Sequence, residues 1–245
     1  MKNLLFLPFF LLLFTCQRHY LPTEASPQSY RISQQMETAN SEEIAAIIAP
    51  YKQSLDEQMN QVIGQAAKRL YKDRPESPLG NWLADLLYRQ ATALSKQPVD
   101  AAYQNYGGIR IPEIAAGPIT RSTVYELMPF DNMLVIVEMD GATVQRFFNH
   151  LAERGGDPVS EQVQFVLQAG KADQLRLSGQ AVERGRTYRI AMPDYIANGG
   201  DNANFLTKLP REDTGHLIRD LILAEVEATT EPITAQLSNR IILGD

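Results

Sequence analysis

The chain has 245 residues, of which 44% are hydrophobic, and its formal net charge is −6. This composition is that of an ordinary globular protein, and the length suits one large domain or two small ones. The acidic balance argues against a nucleic-acid-binding protein, because such proteins normally carry a basic stripe. The sequence contains no repeat of fixed period and no low-complexity tract.

Residues 1–16 are predicted to be a bacterial lipoprotein signal peptide. Lys2 is followed by an apolar run that is too short to span a bilayer and that ends at Cys16, the only cysteine. The preceding residues resemble a loose lipobox, although Thr15 stands where Gly, Ala or Ser is usual. Lipidation of Cys16 would anchor the protein in the cell envelope, at the periplasm or outer membrane, without a spanning helix. A signal peptide that merely contains a cysteine is the alternative.

Residues 17–40 are polar, contain Pro22 and Pro27 and show little periodicity, which is typical of a flexible tether. The folded domain is predicted to occupy residues 41–245. Its helices are predicted from Ser41 to about Tyr51, from Pro78 or Leu79 onwards, behind a Thr123-x-x-Glu126 capping box, over 142–154 and over 216–228.

Strands are predicted within 59–70, at 99–110 running into a glycine turn, at 132–141 ending in a turn at Asp140-Gly141, and at 163–170, 174–179, 187–196 and 238–243. Regular strand–helix–strand steps are few among these elements. The sequence therefore predicts an α+β fold with mixed β-sheets flanked by helices, rather than a doubly wound sheet.

The segment NYGGIR, Asn105 to Arg110, has the composition of a binding site. Paired glycines allow a ligand to approach the main chain. Arg110 offers a rigid fork of donors, and Asn105 offers both a donor and an acceptor. A turn that ends a strand and carries a surface arginine is the alternative.

Two later segments add aromatic and polar groups. In MPFDN, Phe130 follows a proline and is either a stacking platform or a core residue. In PDYIANGGDN, Tyr195 precedes a glycine pair and Asp201, and an ordinary Asn-Gly turn is the competing interpretation. Two aromatic rings with amide, guanidinium and carboxylate groups suit a nucleoside or nucleotide, whose base stacks and whose ribose carries neighbouring hydroxyls.

Four segments in this order resemble the C-terminal domain of the 5′-nucleotidase family: SPLGNWLADLL, NYGGIR, ITRSTVYELMPFDN and DYIANGGDN. The resemblance extends from about Glu42 to Ile242. In that family the domain binds the nucleoside part of the substrate. The resemblance implies that Phe130 and Tyr195 sandwich the base, with Tyr195 at a position that is often Phe.

The same resemblance implies roles for the polar residues. Arg110 and Asn105 would bind the base edge and the ribose ring, Asn132 would bind the base edge, and Asp201 would bind the ribose hydroxyls.

The family also uses arginines just before the G-N helix, and here the pattern is incomplete. Pro78 occupies one such position, and Arg74, four residues earlier, is a candidate ligand contact. A structural domain that keeps the fold but has lost the ligand is a third interpretation, which the missing arginine favours.

Members of the family with both domains carry a separate metallophosphoesterase domain with two metal ions. The three histidines of this sequence, His19, His150 and His216, lie in none of the D-x-H, H-x-H or G-N-H contexts that such a site needs, and we expect His150 and His216 to be surface or packing residues.

We therefore predict the nucleoside- or nucleotide-binding half of a split 5′-nucleotidase. By resemblance the chain is a hydrolase of nucleotide catabolism, with no cofactor or catalytic residue of its own. A separate metallophosphoesterase chain with two divalent metals would cleave the phosphate. The alternative is a lipid-anchored nucleoside-binding protein without a hydrolytic role.

Overall fold

The computed structural model describes residues 40–244. These residues fall into two units that divide between Ile48 and Ala49. The predicted signal peptide, Cys16 and residues 17–39 of the tether lie outside the described residues. From 40 to 244, no helix is long and apolar enough to cross a membrane.

Helices and strands alternate irregularly along the chain. The helices are α1 (Asn40–Met59), α2 (Pro78–Leu94), α3 (Arg121–Leu127), α4 (Gly141–Glu153), α5 (Asp194–Ala197) and α6 (Ile218–Ala228). The strands are β1 (Val62–Ala66), β2 (Leu70–Tyr71), β3 (Ala101–Ala102), β4 (Glu113–Ile114), β5 (Gly117–Thr120), β6 (Met133–Asp140), β7 (Val163–Gln168), β8 (Lys171–Leu177), β9 (Gln180–Ala181), β10 (Thr187–Pro193), β11 (Arg211–Leu217) and β12 (Ile241–Leu243).

The strands form two mixed four-stranded sheets and two small pairs. The central sheet has the order β11-β6-β10-β3, in which β3 runs parallel to β10 and the other pairs are antiparallel. The second sheet has the order β12-β7-β8-β9, in which β12 is parallel to β7. The predicted α+β class with mixed sheets is therefore confirmed.

The central sheet is buried on both faces along β6, because successive side chains of this strand belong alternately to two hydrophobic clusters. Leu134 and Ile136 belong to the cluster that contains the apolar faces of α2 and α6. Val135 and Val137 belong to the other cluster, which contains the apolar face of α4 and the inner face of the second sheet. Burial on both sides explains why β6 reads as a continuous apolar run.

The beginning of α3 differs from the prediction, and the Thr123-x-x-Glu126 capping box is wrong. Thr120, the last residue of β5, caps the helix: its side chain accepts a hydrogen bond from Thr123 N at 3.2 Å. Thr123 Oγ1 in turn accepts one from Thr120 N at 3.3 Å. Because β5 leads directly into α3, the cap lies three residues earlier, and Glu126 accepts from Ser122 instead.

Two element boundaries also need correction, and one strand was missed. Asp140 and Gly141 do not form a turn after β6, since Asp140 caps α4 by accepting a hydrogen bond from Thr143 N at 2.7 Å. Tyr195 lies in α5 rather than in the predicted strand. Strand β11 was not predicted, because its sequence REDTGHL is polar and it lies at the edge of the central sheet.

Candidate functional site

The segment that follows β3 forms the first wall of the candidate site. Tyr106–Gly108 is a 3-10 turn, and Asn105 before it is 3% exposed. The amide oxygen of Asn105 accepts a hydrogen bond from Gln104 Nε2 at 3.1 Å. A Cβ on Gly108 would lie 2.5 Å from that nitrogen, so only glycine lets the turn close over these two amides.

Cations surround this turn. Arg110 donates to the carbonyl of Gly107 at 3.2 Å, and its guanidinium lies 5.4 Å from the ring centre of Phe130. Lys72 donates to the carbonyl of Ile109 at 2.7 Å and lies 3.8 Å from the ring centre of Tyr106. Burial, and then the charges of Arg110 and Arg74, lower the pKa of Lys72.

The second wall is the connection between α3 and β6. Phe130 is 43% exposed, so it is not a core residue. Asn132 is held at the end of this connection, because its carbonyl accepts a hydrogen bond from Ile218 N at 2.9 Å. Arg219 donates to Asp131 at 2.6 Å and further ties the connection to α6.

The third wall follows β10. Tyr195 in α5 is 45% exposed, and the chain then passes through Gly199, whose φ is +92°. A Cβ on Gly200 would lie 2.5 Å from the Tyr195 ring, so the chain crosses the ring in close contact. Asp201 has a φ of +52°, a left-handed conformation that few non-glycine residues adopt.

The three walls enclose one cavity of about 300 Å³. It is lined by Asn105, Gly107, Gly108, Arg110, Phe130, Asn132, Tyr195 and Asp201. All three sequence segments therefore meet, and both aromatic rings face the same space. A mainly apolar cleft of this size with a few convergent polar groups is typical of a small-molecule site.

Arg74 does not line this cavity. Its guanidinium lies 4.3 Å from the ring centre of Tyr106, and its Nη2 donates to Asp157 Oδ1 at 2.7 Å. A contact between Arg74 and a ligand therefore stays a prediction.

Behind the Asp201 wall lies a charged cluster that sequence reasoning missed. The Asp157 side chain is wholly buried, and it contacts Arg74, Arg154 and the hydroxyl of Tyr103. Burial raises the pKa of Asp157, against the opposing effects of the Tyr103 hydrogen bond and the two arginines. Burial, together with Asp157, also raises the pKa of Tyr103 well above its ordinary value. The sequence signal for Asp157 was its position after the glycine pair 155–156, which follows the predicted helix over 142–154.

Of the two histidines that the structure describes, one packs against neighbouring side chains and the other lies at the surface. His150 lies 3.0 Å from the carbonyl of Asp201 and packs edge-on against Phe205. His216 is exposed beside its neighbour Thr214. Between residues 40 and 244, no group of three or more His, Cys, Asp or Glu side chains is placed to hold a metal ion.

A larger cavity, of about 650 Å³, lies beneath the segment 229–240. Charged side chains on its wall are already paired: the buried Arg240 makes two 2.7 Å hydrogen bonds to Asp85, and the exposed Arg89 is paired with Glu225. The first pair holds the C-terminal segment to α2, and the second holds α2 to α6, so the smaller cavity is the better candidate site.

Comparison with known proteins shows the family. Residues 62–208 match the family model described as 5′-nucleotidase, C-terminal domain, and the chain belongs to that family. Protein UshA of Escherichia coli is 26% identical over 213 residues, which are 83% of this chain and 38% of UshA. A 5′-nucleotidase of Vibrio vulnificus is 26% identical over 212 residues, or 83% of this chain and 36% of that protein. This chain thus spans little more than a third of the relatives that it matches.

Solved structures agree with this assignment. The 5′-nucleotidase precursor of Thermus thermophilus superposes with a TM-score of 0.68 at 28% identity, over 81% of this chain and 42% of that one. The NAD nucleotidase of Haemophilus influenzae, at 17% identity and a TM-score of 0.61, covers 83% of this chain and 42% of its own and shares the fold.

Proposed function

We propose that this chain binds the base and ribose of a nucleoside or nucleoside monophosphate, as the nucleoside-binding half of a split 5′-nucleotidase. The observation that carries the proposal is the position of Phe130 and Tyr195, two half-exposed rings on one cavity. Exposed aromatic side chains on a cleft are poorly explained by packing, and a flat heterocycle between them would cover both.

The polar groups of the cavity suit the rest of such a ligand. Arg110 and the amides of Asn105 and Asn132 line the same space and offer donors and acceptors to a base edge or a ribose ring oxygen. Asp201 offers a carboxylate, which accepts hydrogen bonds from neighbouring hydroxyls.

In this proposal a separate metallophosphoesterase chain with two divalent metals cleaves the phosphate ester. None of the three histidines of the sequence lies in a dimetal motif. In this proposal the chain therefore supplies the groups that bind the nucleoside, and the separate chain supplies the metals that cleave the phosphate ester. A lipid on Cys16 would hold this chain at the envelope surface, where the product nucleoside becomes available for uptake.

Calorimetry with adenosine and AMP tests the binding step. We expect the purified domain, residues 41–245, to bind both, and Phe130→Ala and Tyr195→Ala each to weaken binding by about ten-fold or more, because stacking on one ring is lost. Tyr51→Ala is the matched control, since Tyr51 is 77% exposed on α1 and does not line the cavity. Equal affinity in the wild type and both cavity variants would remove the base sandwich from the proposal.

Phosphate release tests the hydrolytic step. A separately purified metallophosphoesterase chain, mixed with this one, should release phosphate from AMP in a metal-dependent reaction that Phe130→Ala slows. Nucleoside binding without any such stimulation would instead support the lipid-anchored binding protein. Absence of both activities would support a domain that has kept only the fold.

A further inference from the structure

Asp201 is held at the cavity by contacts on several sides. Its Oδ2 accepts a hydrogen bond from Arg154 Nη2 at 2.8 Å, and its Oδ1 accepts one from the Tyr195 hydroxyl at 3.2 Å. Its carbonyl lies 3.0 Å from His150 Nε2. Aspartate adopts the left-handed conformation less readily than glycine, and these contacts stabilise it there.

Arg154 makes the shortest of these contacts, and its place in the fold is well defined. It caps the C-terminus of α4, one turn after His150, so that both side chains reach the same loop. Its Nε lies 3.7 Å from Asp157 Oδ2, is buried and has no hydrogen-bond partner. Arg154 therefore bridges two carboxylates, one wholly buried and one at the cavity.

Asp157 fixes the other end of this bridge. Its side chain has no exposed surface, and it accepts hydrogen bonds from the Tyr103 hydroxyl at 2.9 Å and from Arg74 Nη2 at 2.7 Å. A wholly buried carboxylate needs such partners, and its cations are correspondingly hard to displace. The two arginines balance the charges of Asp157 and Asp201.

We propose that Arg154, seated against the buried Asp157, is a positioning residue that aims the Asp201 carboxylate at the vicinal hydroxyls of a ligand. The inference rests on the function proposed above. With one oxygen committed to Arg154 and the other to Tyr195, the carboxylate keeps its remaining lone pairs in fixed directions. Without Arg154, only the weaker contact to the Tyr195 hydroxyl would hold the side chain.

This role separates recognition of the hydroxyls from recognition of the base. Arg154 does not line the cavity, so its loss leaves the aromatic rings and the two amides in place. The affected ligands are those that carry a cis-diol. A nucleoside without the two hydroxyls makes no hydrogen bonds to Asp201 through them, so its affinity should not depend on Arg154.

The test compares the dissociation constants of adenosine and 2′,3′-dideoxyadenosine by calorimetry. For Arg154→Gln we expect adenosine to bind about ten-fold more weakly and dideoxyadenosine to change less than about two-fold, because only the hydrogen bonds to a charged group are lost. Asp157→Asn, which removes the buried charge but keeps the shape, should shift the same ratio in the same direction by a smaller factor. Arg176→Gln, an exposed arginine on β8, is the matched control and should change neither constant.

Arg154→Lys is the control for misfolding of Arg154→Gln. It keeps the cation at the end of α4 and should recover part of the preference for adenosine. Equal weakening of both nucleosides in Arg154→Gln, or no weakening of either, would overturn the positioning role. Failure of the wild type to bind either nucleoside would overturn the proposed function itself, and this outcome is visible before any variant is made.

Discussion

The two glycine pairs at the cavity look alike in the sequence, where an asparagine lies one or two positions before each pair and a charged residue lies one or two positions after it. In the structure, the physical reason that requires glycine differs between the two pairs. Gly108 is required by packing, since a Cβ there would meet the side-chain amides of Gln104 and Asn105. Gly199 is required by its backbone, which has a φ of +92°.

The difference also explains what each segment presents to the cavity. The first pair forms a compact turn over buried amides, and Ile109, which connects the turn to Arg110, has an ordinary extended backbone. The second pair brings Asp201 into a left-handed conformation that the charged cluster behind it maintains. Similar sequence patterns can therefore place one residue through packing and another through strain that its partners compensate.

The largest effect is expected from Gly200→Ala. The new Cβ would lie 2.5 Å from the Tyr195 ring and 2.6 Å from the Tyr195 carbonyl oxygen, and a backbone atom has little room to move. We expect a loss of about 1–3 kcal/mol in the free energy of unfolding, together with clearly weaker nucleoside binding. Denaturant unfolding and calorimetry measure these quantities. Gly185→Ala, with open space around its Cβ, should change neither, and a neutral Gly200→Ala would contradict the close crossing.

Gly108→Ala should have a smaller effect on stability, because its Cβ would meet side-chain atoms that can rotate away. The Asn105 amide would be displaced in that rotation, so we expect nucleoside affinity to fall by several-fold while the free energy of unfolding drops by about 1 kcal/mol. Gly107→Ala is the paired comparison, since only Asn105 Nδ2 lies near its Cβ, at 3.9 Å. If both alanines lower the free energy of unfolding equally, packing is not the reason for the first glycine pair.

Much of the fold was predictable because periodicity reports burial. The spacing of Val144, Phe147, Phe148 and Leu151 predicted α4, and all four side chains are buried in the structure. The same logic failed for β11, whose backbone pairing with β6 holds a strand of polar side chains. The cap of α3 was placed at Thr123 instead of Thr120, because Thr123-x-x-Glu126 matches the usual capping-box pattern and Thr120-x-x-Thr123 does not.

The cavity was predictable to the extent that its residues lie in compact segments with unusual composition. The cluster behind it was not, because Arg154 and Asp201 are 47 positions apart and their contact depends on how α4 packs against the central sheet. The hydroxyl of Tyr195 illustrates the same limit. The resemblance predicted its ring, and only the structure reveals that its oxygen contacts Asp201.

The smallest effect on stability is expected from the charged groups behind the two segments. These groups have opposite charge, since Lys72 lies behind the first segment and Asp157 lies behind the second. Burial raises the pKa of Asp157 above its ordinary value of 3.8 in the folded chain. As pH rises past 3.8, the unfolded chain therefore releases its proton first, and the folded chain retains it up to the raised pKa. Within that window the free energy of unfolding falls with rising pH.

Asp157→Asn removes this titration, so the stability of the wild type should decline relative to the variant as pH rises from 3.8, and the difference should become constant above the raised pKa. Denaturant unfolding of both proteins over a pH series measures the difference directly. A wild type that instead gains stability relative to Asp157→Asn over the same range would mean that Arg74 and Arg154 outweigh burial. The second segment would then be held by strong charge pairing, and not by a buried carboxylate that its partners only partly compensate.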